Sequence, residues 1–340
     1  MSDTKSNLHP RNLHRSSYDF AALTEASPEL ANYVQRNAYG TDSINFSDPN
    51  AVKALNRALL KHFYAVEGWD VPEGYLCPPV PGRADYVHHL ADLLAEANQG
   101  RIPKGKRITG LDVGTGANLI YPLLAHHSYG WNMVGSEIDT VAIASAETIL
   151  ERNPAMQSAI TLRTQTQPSD ILRGIIQSGE MFDFTLCNPP FHASGQEAAE
   201  TTQRKRSKLA YNQVSRGNAN TIDAQPALNF GGQHNELWCD GGEVRFISDM
   251  IHESREFAGQ CFWFTSLVSK KTSLPALYEA LSEVGATEVK TIEMSQGQKI
   301  SRFIAWTFFT PAQQKRGACI VGMHAVNLAA AIISLAEKPT

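Results

Sequence analysis

Four apolar runs, at residues 108–114, 131–137, 160–164 and 181–186, alternate with segments of helical pattern. Parallel strands need a crossover of a dozen or more residues between them, and each interval here is long enough for one. Such alternation predicts a parallel, right-handed, doubly wound α/β sheet. Helices are expected over about 118–125, after a cap at Asp139, and over about 170–177. Further on, 260–268 reads as a strand rich in Phe and Trp and 274–284 as a helix. Residues 288–294 and 302–309 read as two strands joined through Gln296 and Lys299. A closing antiparallel pair is common at the edge of such sheets.

Ahead of this alternation, from Tyr18 to about Asn98, the pattern is helical. Ser27-Pro28-Glu29 places a cap before a first-turn proline, with the helix running toward Asn37. Asp48-Pro49 repeats the signature before Val52, Leu55, Leu59 and Leu60. Residues 68–82 are a proline-rich loop, and Arg83 opens the next helix, where a cation opposes the dipole. Arg83 reads as a surface residue or as the partner of a carboxylate. Residues 1–17 carry Lys5, His9, Arg11, His14 and Arg15 against one acid, Asp3, and fit either a frayed tail or a basic arm reaching RNA phosphate.

At 340 residues, one large domain with an extension fits better than several small ones. The net charge of −4 confines any nucleic-acid contact to local patches. Five scattered cysteines show no metal spacing and point to reduced thiols in the cytoplasm. The eleven histidines form no ligand constellation, so no metal is expected. No apolar span reaches the length a membrane helix needs.

Gly114-Thr115-Gly116 ends the first run, and glycine there lets a cofactor approach the backbone. The third glycine of a dinucleotide fingerprint would fall at 119, which is Leu, and no P-loop lysine follows. That disfavours a nicotinamide oxidoreductase. Glu137 lies 23 residues beyond Gly114, where its carboxylate can accept from a ribose diol, while Asp139 caps a helix. The fourth run ends in Cys187-Asn188-Pro189-Pro190-Phe191. Two prolines cannot continue a ladder, so the chain must turn at a strand's carboxyl end, where open α/β sheets bind ligands. The Asn188 amide oxygen and the Pro189 carbonyl can accept from a planar –NH2 group, and Phe191 can stack on a flat ring. A nucleoside cofactor without pyrophosphate is implied, and S-adenosylmethionine fits. The substrate is then an aromatic amine on an extruded base, and no strong general base is needed.

Residues 192–242 are the least regular. Arg204, Lys205, Arg206, Lys208 and Arg216 fall there with no acid between Thr201 and Ile222. A solvated loop and an RNA contact both fit that composition. Its place beside the Asn188 turn favours a substrate-closing element. Lys270-Lys271 lies past the 260–268 strand, again on the ligand side.

Several blocks resemble the bacterial 23S rRNA adenine-N6 methyltransferase F family. They are Asn188 to Phe191, His9-Pro10-Arg11-Asn12, Asn45-Phe46-Ser47-Asp48-Pro49, Pro79-Val80-Pro81-Gly82-Arg83, Gly114 to Ala117 with Tyr121 to Leu124, Gly241-Gly242-Glu243, and Gln296-Gly297 with Arg302. The resemblance covers roughly residues 7–310. It implies a Rossmann-like class I methyltransferase with a seven-stranded, mostly parallel sheet, and a helical N-terminal extension that helps hold RNA. The expected organisation is an extension at 1–105, the methyltransferase domain at 106–312, and a tail at 313–340. By position, Arg83 meets the methionine carboxylate, Gly114 and Asn118 line the cofactor turn, Glu137 takes the ribose and Ser169 the adenine side. Asp112, Thr115, Gly116 and Asn188 complete the cofactor set. Asn188, Pro189, Pro190 and Phe191 take the target adenine. Arg11, Lys270, Lys271 and Arg302 become RNA contacts, with Arg204, Lys205 and Arg206. The expected partner is 23S rRNA or a large-subunit assembly intermediate, met by a cytoplasmic monomer. Asn-Pro-Pro-Phe-His at 188–192 also resembles rRNA guanine-N2 methyltransferases, and Asn-Pro-Pro-Tyr occurs in protein glutamine methyltransferases. A non-catalytic RNA-binding scaffold would tolerate loss of the cofactor residues, which are intact here.

Overall fold

The structure, a computed structural model, describes residues 7–194, 197, 234–296 and 299–317. Arg204, Lys205, Arg206 and the tail beyond 317 lie outside the described residues. One sheet has seven strands: β1 Thr109–Val113, β2 Asn132–Glu137, β3 Ile160–Thr164, β4 Phe182–Cys187, β5 Cys261–Val268, β6 Glu288–Gln296 and β7 Lys299–Thr307. Their order is β3-β2-β1-β4-β5-β7-β6. The first five are parallel, and β7 runs antiparallel to both β5 and β6. The winding direction changes between β1 and β4, so the ligand crevice opens at their carboxyl ends. Register sharpens this: Val113 pairs with Ser136 on one side and Cys187 on the other. Gly114, Glu137 and Asn188 therefore leave adjacent strands at nearly one level.

Helices flank the sheet: α1 Pro49–Tyr64, α2 Val80–Ala97, α3 Ile120–Tyr129, α4 Thr140–Glu151, α5 Gly242–Ser254 and α6 Leu274–Glu283. The Asp48 side chain caps α1, and Val52, Leu55, Leu59 and Leu60 are buried along it. One apolar cluster joins α1 to α4 with the sheet through Phe184 and Trp263. A second joins α5 and α6 through Leu111, Phe264 and Trp306. Burial on this scale is the main stabilising contribution, at about 25 cal/mol per Å² of apolar surface. The extension shares the first cluster, and the Tyr86 hydroxyl meets Thr265 Oγ1 at 2.6 Å, tying α2 to β5.

From residue 7 the N-terminal arm is not frayed. It docks on α2, where Asp85 accepts from the His9 backbone N–H and the Asn12 side chain, both at 2.8 Å. Two expected helices are absent. After Ser27 only the 3-10 turn Pro28–Asn32 forms, followed by an antiparallel hairpin of Val34–Arg36 with Asp42–Ile44. Asn37 Oδ1 accepts from the Tyr39 and Thr41 N–H groups, at 2.9 and 3.1 Å. Such local side-chain bonding competes with a helix. The 170–177 segment is a series of turns. Gly174, at φ 75°, stops any helix after one turn, and Gln165 takes the Arg173 carbonyl at 2.9 Å. Among the described residues no helix is long and apolar enough to cross a membrane.

Candidate active site

A cavity of about 550 Å³ fills the crevice between β1 and β4. Its floor is the glycine turn. Gly114 and Gly116 have φ of 70° and 66°, the left-handed region that favours glycine. Around Gly114 a side chain would meet nothing within 4 Å among the described residues, so the backbone there faces the cavity. The turn is locked from below, where Thr115 N–H donates to the Ser136 carbonyl at 2.9 Å and the Thr115 side chain packs on Gly135.

Glu137 is where expected, on the cavity wall. Its Oε2 accepts from Gly116 N–H at 2.9 Å, and its Oε1 from Ile138 and Asp139 N–H at 2.8 and 3.1 Å. Burial raises its pKa, and those three backbone donors oppose the shift. Oε2 keeps a second lone pair for a ribose hydroxyl, while Oε1 already accepts two bonds. Arg83 sits in the first turn of α2. Its Nη1 donates to Tyr121 Oη at 2.8 Å and to Asn188 Oδ1 at 2.9 Å, while its Nε is buried with no hydrogen-bond partner among the described residues. A buried guanidinium nitrogen without an acceptor fits an incoming carboxylate. Asn118 is buried on the wall, bonded through Oδ1 to Ile120 N–H at 3.1 Å. Asn188, Pro189 and Pro190 form the opposite wall, and Phe191 is half-buried beyond it.

Two expected cofactor residues lie elsewhere. Asp112 is fully buried behind the turn, off the cavity wall. Burial pushes its carboxyl up to about 7, against the nearby Thr115 hydroxyl and with Glu137 reinforcing the shift. Gly110 to Val113 are all buried, so both faces of β1 are covered and Asp112 stays inside. Ser169 is exposed and bonded to Asp170 at 3.2 Å, while its neighbours Pro168, Asp170 and Ile171 reach the wall. The Glu253 carboxylate sets that loop by accepting from Ile171 and Leu172 N–H, at 3.0 and 2.7 Å.

The expected RNA contacts divide. Lys270 and Lys271 are exposed at the carboxyl end of β5, on the crevice side, with Lys270 Nζ 3.0 Å from Glu197. Arg302 is buried and donates to the Ser269 carbonyl at 3.4 Å, because its place opposite Val268 turns it inward. Arg11 is committed to the arm, bonded to Tyr129 Oη at 3.0 Å, the His88 carbonyl at 2.9 Å and Asp92 at 2.6 Å. Reading the sequence overlooks Tyr121, Leu76, Glu236 and Trp238, all on the wall. Tyr121 stands in a recognised block; Glu236 follows an irregular stretch with no local signal.

A family model described as RNA methyltransferase matches residues 2–310. This chain belongs to that RNA methyltransferase family. It is 54% identical over 310 residues to "Ribosomal RNA large subunit methyltransferase F" of Yersinia enterocolitica, covering 91% of this chain and 90% of that one. The protein of that name from Serratia proteamaculans is 56% identical over the same shares. Among solved structures, the human METTL16 catalytic domain in complex with a MAT2A 3′UTR hairpin superposes with a TM-score of 0.72. Its identity is 30%, over 90% of this chain and 96% of that one. The human METTL16 N-terminal domain in complex with SAH gives 0.67 at 28% identity, over 89% and 99%. The fold is that of a class I methyltransferase, and S-adenosylmethionine is the cofactor of this family's chemistry.

Proposed function

We propose that the chain transfers a methyl group from S-adenosylmethionine to the exocyclic N6 amine of an adenine in large-subunit ribosomal RNA, in the cytoplasm. One observation carries the reading: the glycine turn on β1 and the Asn188 bend on β4 leave paired strands at matched register and face one cavity. The bound cofactor supplies a methyl group already made electrophilic by its sulfonium. The protein's task is to hold the amine in line with it.

Arg83 would take the cofactor's carboxylate, Glu137 its ribose, and Gly114 would let it lie against the backbone. The Asn188 amide oxygen and the Pro189 carbonyl would accept from the adenine –NH2, favouring a tetrahedral, cationic nitrogen as the N–C bond forms and the methyl–sulfur bond breaks; that nitrogen would then release its extra proton to water. Phe191 would stack on the base. Arg83 now shares a bond with Asn188 Oδ1 at 2.9 Å. A carboxylate that draws Arg83 toward itself would release that oxygen, so cofactor entry precedes the nucleobase. Lys270 and Lys271 would meet backbone phosphate. The test is methylation of unmodified 23S rRNA by the purified chain, followed by nucleoside mass spectrometry. N6-methyladenosine supports the assignment; N2-methylguanosine as the only product overturns it.

A further inference from the structure

One carboxylate on the cavity wall plays no part in the reading above. Glu236 belongs to the short helical segment His234–Leu237. Leu76 N–H donates to its Oε2 at 3.1 Å, across 160 residues of chain. A methyl group added at Gly116 would stand 3.4 Å from its Oε1. The Leu76 peptide is held from its other side too, where Asn118 Nδ2 approaches the carbonyl at 3.4 Å. The preceding residue is fixed by the Tyr75 hydroxyl on Asp139, at 2.8 Å. Leu76 thereby lines the cofactor cavity beside the glycine turn, and Glu236 is one of its fastenings.

The same segment also grips the nucleobase side. The Leu237 carbonyl accepts from His192 N–H at 3.1 Å, and Cys239 N–H donates to the His192 carbonyl at 3.0 Å. His192 directly follows Phe191. Glu236 thus stands one residue from the backbone pairing that fixes the end of the Asn188–Phe191 bend. Glu236 shares the surroundings of the Tyr75 hydroxyl with Glu137 and Asp139. Like charges repel, so its bond to the Leu76 N–H has to offset a cost.

We propose that Glu236 is a positioning residue: it fastens the Leu76 segment of the cofactor wall and, through the His192 pairing, sets the amine-gripping bend relative to that wall. This rests on the S-adenosylmethionine reading of the cavity. Three variants separate reach from charge. Glu236→Ala removes the acceptor. Glu236→Asp keeps the charge but falls short of Leu76. Glu236→Gln keeps the acceptor without the charge.

The full chain is titrated calorimetrically with S-adenosylmethionine, and hydrogen exchange is followed over residues 74–78 and 189–193. Alanine and aspartate are expected to raise Kd roughly tenfold, as loss of one charge-assisted hydrogen bond does. Both should speed exchange in both segments, and glutamine should stay near wild type. An alanine variant that binds as wild type, or faster exchange at 74–78 alone, overturns the proposal. So does a glutamine variant as weak as alanine. Should the alanine chain fail to fold, the aspartate and glutamine pair carries the same contrast. A wild-type chain that binds no S-adenosylmethionine indicts the cofactor reading instead, and the proposal falls with it.

Discussion

On the β1–β2 side of the crevice, the ties that set the glycine turn and Glu137 lie within one strand–helix–strand unit and involve the backbone. Thr115 N–H meets the Ser136 carbonyl, and three N–H groups converge on Glu137. On the β4–β5 side, side chains reach between units. Glu243 accepts from the backbone N–H groups of Ser269 and Lys270 and from the Ser269 and Ser273 hydroxyls, at 2.6–3.0 Å. Lys270 Nζ meets Glu197, and Arg302 the Ser269 carbonyl. The contrast separates a cofactor half set by backbone geometry from a nucleobase half whose cations sit on exchangeable partners. An RNA phosphate can compete with Glu197 for Lys270; nothing comparable displaces the glycine turn.

The sharpest way to break this division is Asn188→Ala. It should lower kcat by roughly 10²–10³-fold, as loss of a preorganised polar group does, with S-adenosylmethionine affinity nearly unchanged. Turnover at the wild-type rate, measured with labelled cofactor, would remove Asn188 from the chemistry. Next in size, Arg83→Ala should weaken cofactor binding about 30-fold or more, the scale for losing one partner of a buried charge pair. Calorimetry reads that value, and an unchanged Kd would return Arg83 to the nucleobase half. Replacing Lys270 and Lys271 by Ala should weaken RNA binding and reduce the salt slope by ~0.7 for each phosphate no longer neutralised. Cofactor affinity should not move, and an unaltered slope would take both lysines out of the interface.

The smallest effect concerns Asp112. Its carboxyl is pushed from 3.8 up to about 7 when folded, chiefly by burial. Between those values the folded chain holds a proton that the unfolded chain has released, so this group's contribution to stability falls as pH rises through the window. Without added cofactor, the drop in Tm between pH 5 and pH 7.5 should be larger for wild type than for Asp112→Asn. Parallel curves would mean Asp112 does not titrate there.

The same contrast explains what can be read from residue order alone. The glycine turn, Glu137 and the Pro189-Pro190 bend announce themselves because each is dictated by local backbone chemistry. Strand ends then follow from apolar runs, and all seven strands form where the runs predict. Ser169 stands off the cavity wall, Arg302 is buried and the 170–177 segment forms turns for the opposite reason. Glu253 and Gln165 shape the loop around Ser169, while pairing of Arg302 with Val268 buries its guanidinium. Glu236 acts on Leu76 from 160 positions away. Side-chain ties of that range leave no periodic mark in a sequence.

The most direct measurement maps methylated nucleosides on 23S rRNA from cells with this gene, without it, and with only the Asn188→Ala allele. The account predicts one N6-methyladenosine that is present in the first and absent from the other two. Its persistence without the gene, or its restoration by the alanine allele, would contradict a site in which the β4 bend presents the amine to a methyl donor lying on the β1 turn.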